Sequence, residues 1–98
     1  MGKRADFCRG RLTAWSRTAR EVQELERQLR SITDDQSRLR ANLREMPRTA
    51  AAYKRYLDKF DRQETEIDRL QAEIKKLQGT EHNQKKEFED FLSNLSAE

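Results

Sequence analysis

The sequence predicts an all-α fold: a two-helix antiparallel coiled-coil hairpin, a pair of which would close into a four-helix bundle. Three observations predict it. Charged residues make up 40% of the 98 positions, hydrophobic ones only 34%, and glycine and proline together occupy four, a profile of long helices with a narrow apolar seam rather than a thick core. Apolar residues recur at alternating spacings of three and four on both sides of the single proline, as a and d sites do in successive heptads. That sustained period also separates the chain from a disordered one of similar polarity. Finally, the two apolar runs match each other when one is read backwards.

Residues 1–12 are set apart as a basic N-terminal segment. Lys3, Arg4, Arg9, Arg11, Arg17 and Arg20 against Asp6 give the first twenty residues a net charge of +5, whereas the rest of the chain is near neutral. This start has no apolar stretch of signal-peptide length. No run anywhere approaches the roughly 18 apolar residues of a membrane span. Cys8 is the only cysteine, so neither an internal disulfide nor a cysteine zinc cluster can form. The expectation is a cytoplasmic protein with no membrane partner.

The hairpin is expected over residues 13–98. Its first helix, 13–46, carries Trp15, Thr18, Val22, Leu25, Leu29, Ile32, Gln36, Leu39, Leu43 and Met46 on the seam. Its period of 3.5 predicts a left-handed supercoil. The bend is placed at 46–49, because Pro47 disfavours helix at Met46 and lacks the N–H that a continuing helix needs. Thr49 offers a capping hydroxyl, and Ala50, Ala51 and Ala52 are strong helix formers. The second helix, 50–95, carries Tyr53, Tyr56, Phe60, Gln63, Ile67, Leu70, Ile74, Leu77, Glu81, Gln84, Phe88, Phe91 and Leu95. So short a connection normally folds two helices back as antiparallel neighbours.

Antiparallel pairing demands that facing seam residues have position numbers with a constant sum. Met46 with Tyr53, Leu43 with Tyr56, Leu39 with Phe60, Ile32 with Ile67, Leu29 with Leu70, Leu25 with Ile74 and Val22 with Leu77 all sum to 99, and so do the two polar interruptions, Gln36 and Gln63. The glutamines are therefore expected to face each other as one register-setting amide layer. An unpaired amide in an apolar seam costs about 1–3 kcal/mol, so slippage that separates them is penalised. The blander reading, a polar residue tolerated at each site, stands beside it. Asp35 is expected near Glu66, a repulsive pairing. Past Val22 and Leu77 the seam weakens: Thr18 meets Glu81, Trp15 meets Gln84, and Gly79-Thr80 invites a kink. Phe88, Phe91, Leu92 and Leu95 then form an apolar tip for Phe7, Cys8, Leu12 and Trp15 to cover. One architectural rival remains, a helix running straight through Pro47 and pairing in parallel with a second copy.

Three short motifs carry a resemblance. Gln36-Ser37-Arg38-Leu39-Arg40-Ala41-Asn42 ends the first helix, Tyr53-Lys54-Arg55-Tyr56-Leu57 starts the second, and Gln63-Glu64-Thr65-Glu66-Ile67 follows. In this order they resemble the C-terminal coiled-coil segment of bacterial proteins related to the mucoidy inhibitor A family, which carry domain of unknown function 4139. The resemblance covers roughly residues 21–98. It implies a coil attached to a β-rich domain that this chain lacks, and it implies no chemistry. Residues 1–20 have no counterpart in it.

The chemistry-bearing residues argue against an enzyme. His82 is the sole histidine and has no companions of metal-ligand type. Cys8 has Arg9 and Arg11 beside it, but two helices supply neither a base nor a pocket. Asp34, Asp35, Glu64 and Glu66 read as a hydrated helix face with nothing to split their pKa values. No glycine-rich phosphate loop occurs. The expectation is no catalytic, cofactor-binding or metal site and no small-molecule substrate. Arg38, Arg40, Arg44, Arg48 and Arg55 gather around the bend with Tyr53 and Tyr56 close by, a candidate interaction surface for phosphate or an acidic partner.

A seam this narrow recovers less free energy than ordering two long helices costs. Self-association, or docking on the β-rich domain of a larger parent protein, is therefore expected, with Ala14, Ala19, Leu57 and Leu92 as further apolar contacts. The function that follows is a non-enzymatic spacer or oligomerisation element of a larger bacterial protein. The alternative is a nucleic-acid-binding hairpin that uses the basic N-terminus or the arginine-rich bend.

Overall fold

The computed structural model describes the backbone of residues 2–97 and the side chains of residues 6–95. Two helices account for nearly all of it: α1, Gly2–Glu45, and α2, Ala51–Ala97. They pack against each other as an all-α helical hairpin, and no strand occurs among the described residues. Both helices are rich in Arg, Lys, Glu, Gln, Leu and Ala, with no internal proline, so intrinsic preference and pattern agree along their length.

The helix runs through the basic segment expected at residues 1–12, from Gly2 onward, instead of starting at residue 13. Nothing in that stretch breaks a helix. Carried back from Trp15, the 3.5 period lands on Arg11 and Cys8, both half-buried, so the segment belongs to the first arm. Met1 lies outside the described residues.

At the bend α1 stops at Glu45, one residue short of the expected end, and α2 starts at Ala51, one residue late. Between them the Ala50 N–H donates to the Pro47 carbonyl at 3.0 Å, closing a turn over Arg48 and Thr49, and the Tyr53 N–H donates to the Ala50 carbonyl at 3.0 Å. Ala50 thus opens the first turn of α2. Thr49, the expected cap, sits inside the loop turn. Gly79 does not end α2, which continues to Ala97. Its φ is not positive, and a Cβ there would meet nothing within 4 Å.

The chain divides into two compact units, Leu25–Glu73 around the bend and a terminal unit formed by the residues up to Glu24 with those from Ile74 on. In the bend unit Leu39 and Leu70 are fully buried, at 0% exposure, with Ile67 and Gln36 also buried. In the terminal unit Val22, Ile74 and Thr18 are buried. The Thr18 hydroxyl donates to the Ala14 carbonyl of its own helix at 3.1 Å, which satisfies a polar seam residue without help from the partner. Every seam position read from the sequence between Trp15 and Leu95 is buried or half-buried.

Candidate functional site

Three places gather side chains beyond ordinary seam packing: the polar layer and the bend in one unit, and an aromatic cluster in the other.

The polar layer differs from the expected glutamine pair. Gln36 Nε2 donates to Glu64 Oε1 at 3.0 Å, and Gln63 Nε2 donates to Asp35 Oδ2 at 2.6 Å. Each amide therefore reaches the carboxylate that adjoins the other amide. The physical reason is bond strength, since a hydrogen bond to an ionised acceptor outweighs an amide–amide bond, and Asp35 and Glu64 are within reach on the neighbouring positions. Gln63 Oε1 is left buried with no partner among the described residues. The layer still ties 36 to 64 and 63 to 35 across the helices, by two amide–carboxylate bonds.

Asp35 is the hub. Besides Gln63 it accepts from Arg38 Nε and Nη2 at 3.0 and 2.8 Å, and Lys59 Nζ lies 3.3 Å from its other oxygen. The Arg38 hydrogen bond foremost, then those from Gln63 and Lys59, hold its carboxyl down at about 2 against partial desolvation. Glu66 is likewise lowered, chiefly by its hydrogen bonds from Arg69. The repulsion expected between Asp35 and Glu66 is thus met by an arginine three residues further along each helix.

These bonds redistribute the arginine cluster. Arg38 is engaged with Asp35, and the Arg40 guanidinium lies 5.3 Å from the centre of the Phe60 ring, a cation–π placement. Arg44, Arg48 and Arg55 are exposed and form no ion pair with a described residue. Arg44 lies in the last turn of α1, where a cation complements the helix dipole. Beside them a shallow open groove is lined by Asn42, Glu45, Met46, Pro47 and Tyr56. Its one charged wall is a carboxylate, so the groove itself does not suit an anion.

The terminal unit is built on rings. Phe7 and Phe91 meet edge-on with centroids 5.1 Å apart, and Trp15 and Phe88 lie 5.9 Å apart at a tilt of 44°. Of the residues expected to cover the apolar tip, Phe7 and Trp15 meet Phe91 and Phe88, whereas Leu12 and the tip's own Leu92 stay 43% and 41% exposed. Arg11 is the unexpected member: its guanidinium lies over Phe7 at 4.4 Å and near Phe91 at 5.9 Å, and Nη1 pairs with Glu87 Oε2 at 3.0 Å. Its Nε is buried without a hydrogen-bond partner among the described residues. Asp6, Phe7, Gly10, Arg11, Ala14 and Glu87 line an open groove on this flank.

Sequence reasoning missed Arg11, Lys59, Asp35 and Glu64 as working parts. Arg11 was open to discovery by extending the heptad back through residues 8–11. The acid–amide adjacency of Asp35-Gln36 and Gln63-Glu64, in mirrored order, was a usable signal for the layer. Among the described residues no cluster of metal-ligating side chains occurs, and no helix is long and apolar enough to cross a membrane. Comparison with protein-family models, curated proteins and solved structures returns no match.

Proposed function

We propose that the chain is a non-enzymatic coiled-coil module, a spacer or oligomerisation element of a larger bacterial protein, acting in the cytoplasm through self-association or docking on a β-rich parent domain. One observation carries the reading. The seam side chains are spent on the partner helix, yet Phe7, Leu12, Leu57 and Leu92 remain 41–51% exposed outside it. Apolar surface left over after two helices have paired is what a third and fourth helix bury. Sedimentation equilibrium across a hundredfold range of concentration tests the proposal, with a reversible dimer as the expected species. A stable monomer that captures no parent domain would sink it.

The nucleic-acid reading rests on Arg44, Arg48 and Arg55, exposed around the bend and without ion-pair partners among the described residues. Binding to a generic duplex should then weaken steeply with salt, since each neutralised phosphate releases a counterion. Absent or salt-insensitive binding dismisses it.

A further inference from the structure

The exposed apolar residues are not evenly spread. Three of the four large ones among the described residues, Phe7, Leu12 and Leu92, lie in the terminal unit. Leu12 follows the seam position Arg11, and Leu92 follows the seam position Phe91. In an antiparallel pair the residues that follow a d site line one flank of both helices. Phe7, Ala14 and Glu87 share the groove on the other flank, which leaves Leu12 and Leu92 together, 43% and 41% exposed.

One turn back from each leucine stands a charge of opposite sign, Arg9 on α1 and Glu89 on α2. Arg9 is exposed and forms no ion pair with a described residue. Glu89 is exposed, and among the described residues it pairs only with Lys85, at 4.0 Å. Because Arg11 and Glu87 lie opposite each other across the terminal unit, Arg9 and Glu89 stand at nearly the same level on their two helices.

The surrounding charge has the same polarity. Arg9, Arg11, Arg17 and Arg20 against Asp6 give residues 6–20 a net +3, whereas Lys85 and Lys86 against Glu81, Glu87, Glu89 and Asp90 give the facing residues 79–93 a net −2.

We infer that the terminal unit docks flank to flank on the terminal unit of a second copy, about a twofold axis parallel to the helices. This deepens the self-association reading above and rests on it. Rotation about such an axis sets α1 of one copy against α2 of the other. Each basic arm then meets an acidic one, Leu12 and Leu92 of both copies are covered together, and Arg9 meets Glu89 of the second copy at matching height. A twofold axis running across the helices would instead set α1 against α1, basic on basic, which charge complementarity disfavours. The contact is isologous and closes at two copies.

Sedimentation equilibrium on the full chain tests it. Arg9→Glu and Glu89→Arg are each expected to weaken the dimer about tenfold, as for a close interfacial charge pair. The double variant Arg9→Glu/Glu89→Arg should regain most of that loss. Leu12→Gln should weaken the dimer by about tenfold or more, while Ala72→Gln, exposed in the other unit, should leave the dissociation constant unchanged. Circular dichroism melts at the lowest concentration check that each variant keeps its hairpin. A dimer indifferent to residues 9, 12 and 89, or a double reversal no better than the singles, overturns this contact and leaves self-association standing. A wild-type chain that stays monomeric throughout overturns both.

Discussion

The two units solve the same packing problem with different chemistry. Around the bend, Leu39 and Leu70 lose all contact with solvent, and the amide nitrogens of Gln36 and Gln63 donate to Glu64 and Asp35, although Gln63 Oε1 finds no partner among the described residues. In the terminal unit the seam holds Thr18, Glu81 and Gln84, closure falls to ring contacts and Arg11, and three large apolar side chains stay exposed. Internal completeness and external availability are therefore opposed within one short chain. Among the described residues the bend unit leaves one large apolar side chain exposed, Leu57, against three in the terminal unit.

The sharpest way to break this contrast is truncation at the closed core. Leu39→Ala or Leu70→Ala removes a fully buried side chain and should cost about 2–5 kcal/mol, read from denaturant melts. Equal losses from Phe7→Ala would erase the distinction between the units. The next effect has the opposite sign. Gln36→Leu with Gln63→Leu exchanges two desolvated amides for apolar contact and should raise stability by about 1–2 kcal/mol. Spin labels on the two arms should at the same time show a broader distance distribution, because the bonds that select one register are gone. A stabilised hairpin with an unchanged, narrow distribution would mean that the aliphatic residues alone set the register.

Smaller again is Phe7→Ala itself, at about 1 kcal/mol or less, since the ring is half-exposed and loses mainly its edge contact with Phe91. Its signature should be faster amide exchange confined to the terminal unit, with the amides near Leu39 and Leu70 unaffected. The smallest effect is acid titration. The carboxyl of Asp35 stands near 2 in the folded chain against 3.8 for an unperturbed one. Its contribution is fully present above pH 4 and is lost as pH falls through the interval down to about 2. Asp35→Asn should lower the melting midpoint at neutral pH and flatten its acid slope in that interval. A variant as pH-dependent as the wild type there would remove Asp35 from its place at the hub.

The architecture was readable because a coiled coil writes its contacts into position numbers. Leu39 and Leu70 fall on the same 3.5 period that their burial follows, and Pro47, with the constant sum of facing positions, favours the reversal over a helix running straight through. The ends of the elements were read less well. Ala51 begins α2 because the turn that bonds Ala50 to Pro47 uses up Thr49 and Ala50, a backbone choice that side-chain preference does not report. The polar layer was found but wired wrongly: periodicity locates Gln36 and Gln63, whereas the choice between amide and carboxylate partners depends on rotamers and on charge one position away. Arg11 escaped because a cation in a seam reads as the end of the pattern until aromatic faces and Glu87 are seen to receive it. The arginine cluster was only partly a cluster, since Arg38 and Arg40 had closer claims on them.

The turn at residues 46–50 has a last consequence for how the molecule responds to dilution. By delivering α2 to α1 within one chain it holds the second helix at an effective concentration on the order of millimolar or above, whatever the amount of protein in solution. Zipping of the hairpin is then a first-order event, blind to expression level. Any behaviour that does track the number of molecules must originate on the outer flanks, so the chain keeps its own integrity and its sociability on separate controls.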